Sequence, residues 1–260
     1  MQSRLSYGGL SKSINNMKKI SLFLVIGCIS VLAHGQEIEK NLKHFTRIVA
    51  SPRVNVILNK GEQESIRLVY HDVRPNKINI DVRGRTLRIY LDKARKVERM
   101  KPGEDRYGRR ESMYEGASIT AYITYQELDV LEIRGEQELT CNDPIESEQF
   151  TLRAYGENEI TLASLKTGFF KAKLYGENHL RIRQGRTLSQ KYLLYGENKI
   201  DTREVRSEYI VTSIFGEGSL KVNSTEEVRI DAFGEPKIHV DGGAHINRRL
   251  IFGKADIVRD

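Results

Sequence analysis

From residue 130 to the C-terminus, apolar and polar positions repeat around glycine. The segments are EIRGEQELTC around Gly135, RAYGENEITL around Gly156, KLYGENHLRI around Gly176, LLYGENKIDT around Gly196, SIFGEGSLKV around Gly216, DAFGEPKIHV around Gly234 and LIFGKADIVR around Gly253. Two residues before each glycine stand Ile133, Ala154, Leu174, Leu194, Ile214, Ala232 and Ile251. Four residues after it stand Leu139, Ile160, Leu180, Ile200, Leu220, Ile238 and Ile257. The flanks alternate apolar with polar, as in FKAKL and HLRIR, which is the period of a strand with one buried face. Each unit therefore reads as a strand, a tight turn at Gly-Glu-Asn, a second strand and a looser return. Glycine and asparagine suit that turn because both tolerate positive φ.

The glycines are 21, 20, 20, 20, 18 and 19 residues apart. A fixed period near twenty predicts a solenoid, in which each unit buries its apolar face only against its neighbours. Twenty residues closing one circuit with equivalent positions stacked gives an all-β, parallel β-helix-like solenoid, successive coils lying about 4.8 Å apart. The stretch before the repeats is less regular. FTRIVASPRVNVILNKGEQESIRLVYHD and INIDVRGRTLRIYLDK alternate well enough to be strands, and Gly84 leads to Leu87 and Ile89 much as the later glycines do. Residues 36–95 are read as first coils or a cap over the open end of the stack. Residues 96–118 hold six basic and five acidic side chains with glycine and proline, the composition of an exposed, mobile excursion. Residues 119–260 are the repeat solenoid.

The N-terminus changes how charge is counted. MKKISLFLVIGCISVLAHGQ, beginning at Met17, sets two lysines before the apolar run Ile20–Ala33. That run is shorter than the roughly 20 residues a membrane-spanning helix needs. It reads as a secretory signal peptide over residues 1–35, with Met17 as an alternative start. VIGC, ending at Cys28, resembles the lipobox of bacterial lipoproteins, a second route to export. Residues 1–35 carry Arg4, Lys12, Lys18 and Lys19 and no acid; without them 38 basic face 35 acidic side chains, a net of +3 rather than +7. So balanced a chain gives no electrostatic case for a nucleic-acid partner. With Cys28 removed, Cys141 is the single cysteine, which excludes an intramolecular disulfide.

FTRIVASPRVNVILNKG, then ITAYITYQELDVLEIRGEQEL, then glycine-centred coils behind a signal peptide resemble the bacterial head GIN domain family, a group of auto-transporter adhesins. The resemblance runs from His44 to Val258. It implies an exported, non-catalytic binding protein whose partner is a surface glycan or an envelope protein; a periplasmic scaffold is the alternative. The family's turn is more usually Ser-Gly-Ala-Gly-like, and Tyr/Phe-Gly-Glu-Asn here adds an aromatic ring and a carboxylate. The resemblance carries over no residue roles.

Two rows are the candidate ligand-facing surface. Tyr155, Tyr175, Tyr195, Phe215, Phe233 and Phe252 each precede a glycine; Glu136, Glu157, Glu177, Glu197, Glu217 and Glu235 each follow one, and Lys254 ends that row. The aromatics suit either a stacked structural spine or a flat strip for sugar rings. The glutamates, about 5 Å apart, repel by roughly 1 kcal/mol per neighbouring pair in water. Solvent, neighbouring lysines and arginines, or bound calcium could relieve them, although a calcium loop concentrates several oxygen ligands in one turn. Asn158, Asn178 and Asn198 are turn residues whose amides can bond along the stack. No cofactor is expected. The acids are periodic rather than paired about one bond as in glycoside hydrolases. His44, His71, His179, His239 and His245 share no metal-binding spacing. Cys141 falls at the position of Leu162, Ile182 and Val222, that of a core thiol. An enzyme, such as a polysaccharide-processing β-helix, is the least favoured class.

Overall fold

The computed structural model describes residues 36–100 and 112–259. The proposed signal segment and the middle of the charged excursion lie outside them. The described chain is nearly all strand. β1 (Gln36–Asn41), β2 (Arg47–Ala50), β3 (Val54–Lys60), β4 (Ser65–His71), β5 (Ile78–Arg83), β6 (Thr86–Leu91) and β7 (Ser118–Tyr125) precede the repeats. β8 (Val130–Ile182), β9 (Gly185–Tyr195), β10 (Asn198–Gly216), β11 (Gly218–Gly234), β12 (Lys237–Asp241), β13 (His245–Gly253) and β14 (Asp256–Arg259) build them.

The repeats wind as the periodicity predicts. β8 pairs with β9 in parallel, setting Lys171 against Lys191 and Tyr175 against Tyr195. β10 and β11 continue the ladder with Ile200 beside Leu220 and Gly216 beside Gly234. Alternate side chains enter a core that runs from Phe45 through Ile160, Leu180 and Ile200 to Ala244. Burying each such leucine or isoleucine contributes about 1.5–3 kcal/mol. Inside the coils Phe150 stacks on Phe170, and Tyr192 meets Phe170 edge-on at 6.0 Å. The Tyr192 hydroxyl bonds Thr202 and Gln190, so this buried ring keeps its polar end satisfied.

At the corner the division of labour differs from the sequence reading. Each repeat glycine takes positive φ, from +94° at Gly196 to +131° at Gly234, whereas Asn158, Asn178 and Asn198 do not. The glycine alone makes the bend, and in β8 the strand passes Gly135, Gly156 and Gly176 without interruption. The asparagines turn inward instead.

The N-terminal end is both first coil and cap. β2 lies between β6 and β8, all parallel, and β3 lies between β7 and β8. β5 closes one sheet antiparallel to β6, and β4 followed by β1 closes the other beyond β7. Gly84 therefore is not a coil corner. With Arg85 it forms a two-residue hairpin turn, both residues at positive φ, which matches the strand twist.

The charged excursion stands where the corner between β6 and β7 would be. Its stems are tied down: Ser51 donates to the Arg95 carbonyl at 2.6 Å, Arg53 pairs with Glu98 at 2.9 Å, and the Tyr114 hydroxyl donates to the Asp92 carbonyl at 2.7 Å. Partial burial works to raise the Glu98 carboxyl, but hydrogen bonds from Ser112, Arg53 and the Tyr114 amide overcome it and hold the group below its usual range.

Candidate functional site

The aromatic row is one continuous column. Tyr155, Tyr175, Tyr195, Phe215, Phe233 and Phe252 lie ring over ring, with centroid spacings of 5.1, 5.0, 4.7, 4.8 and 5.2 Å and planes within 11° of parallel. In-register parallel strands stack identical side chains at the coil spacing, which is also a good distance for offset rings. The rings project from the corner, half-buried against one another. Their faces are therefore occupied, and what they offer solvent is their edges and, in the first three coils, phenol hydroxyls. Arg134 covers the first face, its guanidinium carbon 4.5 Å from the Tyr155 centroid; the last ring, Phe252, is 61% exposed. A flat strip for stacking sugar rings is thus not what the column presents.

The glutamate row lies on one side of this column. Glu136, Glu157, Glu177, Glu197, Glu217 and Glu235 are all exposed. Among the described residues only Glu197 of the six has an ion-pair partner, Lys199 at 3.5 Å. No group of three or more His, Cys, Asp or Glu among those residues is placed to hold a metal ion. The first three glutamates, with Glu138, Glu159 and Asn55, line an open acidic groove of about 460 Å³.

Just inside the glutamates runs an amide ladder. Asn158 donates to Asn178 at 2.8 Å, Asn178 to Asn198 at 3.0 Å, and Asn198 to the Tyr195 carbonyl at 3.1 Å. All three are buried, so each bond replaces a desolvation cost of about 1–3 kcal/mol.

On the other side of the column the outward positions of the coils nearest the cap include a cluster of basic residues that sequence reasoning passed over. Lys171, Lys173 and Lys191 stand on adjacent coils with Arg153 beside them, and burial, then the charges of Lys173, Lys191 and Arg153, hold the Lys171 ammonium below its usual range. Nearer the cap, Arg134 and Arg153 share the buried carboxylate of Glu132, at 2.6 and 3.4 Å. Arg153, Lys171, Lys173 and Lys191 fall three or five residues before a glycine, but the coils of Gly135 and Gly216 carry no cation at those offsets, so the sequence gives only a partial signal for this field. The sequence reading sought the lysines as partners for the glutamates, and the column keeps the two apart.

The other candidates sit in structural settings. Cys141 is fully buried, bonded to the Asp143 carbonyl at 3.3 Å, and burial pushes its thiol up. His44 contacts Glu64 at 2.6 Å and His179 contacts Glu159 at 3.0 Å. No helix among the described residues is long and apolar enough to cross a membrane.

A parallel β-solenoid with a segregated, repeating long face is the class this geometry defines. The chain belongs to the family described as "Putative auto-transporter adhesin, head GIN domain", whose model matches residues 44–244. Solved structures share the fold. A putative adhesin from Parabacteroides merdae ATCC 43184 is 14% identical, with a TM-score of 0.64 over 88% of this chain and 97% of that one. A putative adhesin from Bacteroides fragilis NCTC 9343 is 17% identical, with 0.63 over 86% and 96%. A putative lipid binding protein from Parabacteroides distasonis ATCC 8503 is 14% identical, with 0.60 over 88% and 98%. A comparison with curated proteins finds no match.

Proposed function

We propose that this protein is an exported, non-catalytic binding protein that contacts a glycan or another envelope component through the long side of its solenoid. The observation that carries the reading is the face itself. An aromatic column runs beside a row of carboxylates through successive coils, and over the coils of Arg153, Lys171 and Lys191 it divides that row from a basic field, so an extended partner meets aligned rows along the stack. Family membership supports it, since adhesion is the role in the family's description. Catalysis is the second reading, favoured by the open groove that gathers Glu136, Glu138, Glu157, Glu159 and Glu177 from three coils, and the cleavage assay below tests whether any pair of them acts on a glycosidic bond.

A protein partner has its own supporting observation at the C-terminal edge, where Leu250, Ile251 and Phe252 are exposed together. Exposed apolar residues grouped on an edge strand are a common setting for protein contact.

The test is binding of the purified protein to a glycan array and to isolated envelope fractions, with and without calcium, beside an assay for cleavage of the same glycans. We expect retention on one or both materials and no cleavage. Product release from any glycan, or no retention on either material, would overturn the reading.

A further inference from the structure

The basic field is larger than its three lysines. It continues toward the cap as a cleft of about 550 Å³ lined by Arg47, Arg88, Arg95, Lys96, Arg134 and Arg153, with Tyr90 among them. From β6 through β2 to the coil of Lys191 it crosses five coil steps, on the order of 24 Å at the parallel-strand spacing. The carboxylate lining the cleft is Glu132, buried and already engaged by Arg134 and Arg153. Asp81, opposite Arg88 at the hairpin edge, is turned to Arg83. Among the described residues Lys171, Lys173 and Lys191 form no ion pair, although Lys171 and Lys191 are direct neighbours across the ladder. Like charges at that spacing repel by about 1 kcal/mol even in water. Arg153 Nε is buried without a hydrogen-bond partner.

From this geometry we infer that the field is a binding face for an acidic polysaccharide, a linear chain carrying carboxylate or sulfate groups. The inference rests on the surface-binding reading above and gives its ligand a chemical class. Anionic groups on the ligand relieve the repulsion that the lysine rows carry unpaired. Guanidinium forks on Arg47 and Arg88, which form no ion pair among the described residues, match carboxylate and sulfate geometry. The ring faces of Tyr155, Tyr175 and Tyr195 are consumed by stacking, which removes the usual platform for neutral sugars; their hydroxyl edges remain as hydrogen-bond partners for sugar hydroxyls. A shallow, open field about five coils long suits an extended chain rather than a small molecule. The glutamate row beyond the column repels the same ligand, which confines it to one side.

The experiment measures the protein against immobilised polygalacturonate and sulfated dextran, with neutral dextran and polyglutamate as comparators, at low and at physiological salt. We expect binding to both acidic polysaccharides that weakens with salt, and little to neutral dextran or polyglutamate. The variant Lys171→Gln/Lys173→Gln/Lys191→Gln should bind them at least about tenfold more weakly, as loss of three surface cations predicts. Circular dichroism and Tm of that variant report its fold, and Glu157→Gln/Glu177→Gln should bind no more weakly than the unaltered protein. Equal binding by the triple variant, equal binding to neutral dextran, or no binding to any acidic polysaccharide would overturn the inference. Polyglutamate held as tightly as the polysaccharides would also overturn it, in favour of an acidic protein partner. Retention on envelope fractions, measured in parallel with the triple variant, separates the two readings: retention without acidic-polysaccharide binding removes this inference and leaves the surface-binding reading standing.

Discussion

A β-carbon placed on Gly196 would stand 2.5 Å from the carbonyl oxygen of Gly176, the residue one coil below it. Backbone meets backbone from Gly156 to Gly253, so no flexible neighbour can yield there. Gly196 is also at φ +94°, where a side chain is strained by roughly 1–3 kcal/mol before any clash. We expect Gly176→Val or Gly196→Val to lower Tm by about 5 °C or more. Glu177→Gln and Glu197→Gln, which alter exposed carboxylates, should leave Tm nearly unchanged. Equal shifts in thermal melts would disprove this account of the corner.

The aromatic column makes a graded forecast. Tyr175 has a ring on each side, and each pair contributes about 0.5–1.5 kcal/mol beyond burial. Tyr175→Ala should therefore cost more in urea unfolding than Phe252→Ala at the open end, while Tyr175→Phe stays close to neutral. A Phe252→Ala cost as large as that of Tyr175→Ala would count against stacking as the source.

The amide ladder can be cut at its middle rung. Asn178→Ala strands the Asn158 amide and the Asn198 oxygen together, an expected loss of about 1–3 kcal/mol. Asn158→Ala leaves only the Asn178 oxygen without its donor and should cost less. Equilibrium denaturation of both variants checks the order.

Lys171 ties the basic field to pH. Its proton is held less tightly in the folded protein than the ordinary value of 10.5, first by burial and then by Lys173, Lys191 and Arg153. Between the folded value and 10.5 the unfolded chain binds more protons, so stability rises with pH across that window. At neutral pH, where the charged form is disfavoured in full, Lys171→Gln should raise Tm by about 2 °C. Added salt should shrink the gain, and an unchanged or lowered Tm at low salt would contradict the assignment.

Cys141 gives a simple accessibility check. Fully buried, with its thiol raised by burial, it should resist a thiol reagent until the chain unfolds. Labelling in the native protein at the rate seen in denaturant would mean the coil opens there.

The coils were legible because parallel stacking copies one sequence pattern every twenty residues. Ile200 and Leu220 announce their burial by position alone, and the same regularity put Tyr175 and Tyr195 in one row. The orientation of the rings was not legible, because alternation assigns a side chain to a face and not to a neighbour across the ladder. Gly84 misled for a related reason: a glycine before alternating residues serves a hairpin as well as a coil, and only the antiparallel partner, β5, distinguishes them. The basic field went unread because its members come from different coils and from β2 and β6, and their adjacency follows only from the register of strands far apart in sequence.

The excursion between Leu91 and Ser118 bears on where such a chain can accept added sequence. β6 and β7 keep register with β2 and β3 on either side of it, so a corner of this ladder accommodates a long segment. Corners are thus the places where such a chain can acquire new sequence by insertion and test it under selection while the scaffold stays the same. The same tolerance marks the corner above Pro52 as a graft point for an engineer who wants to display a foreign loop on a repeating scaffold.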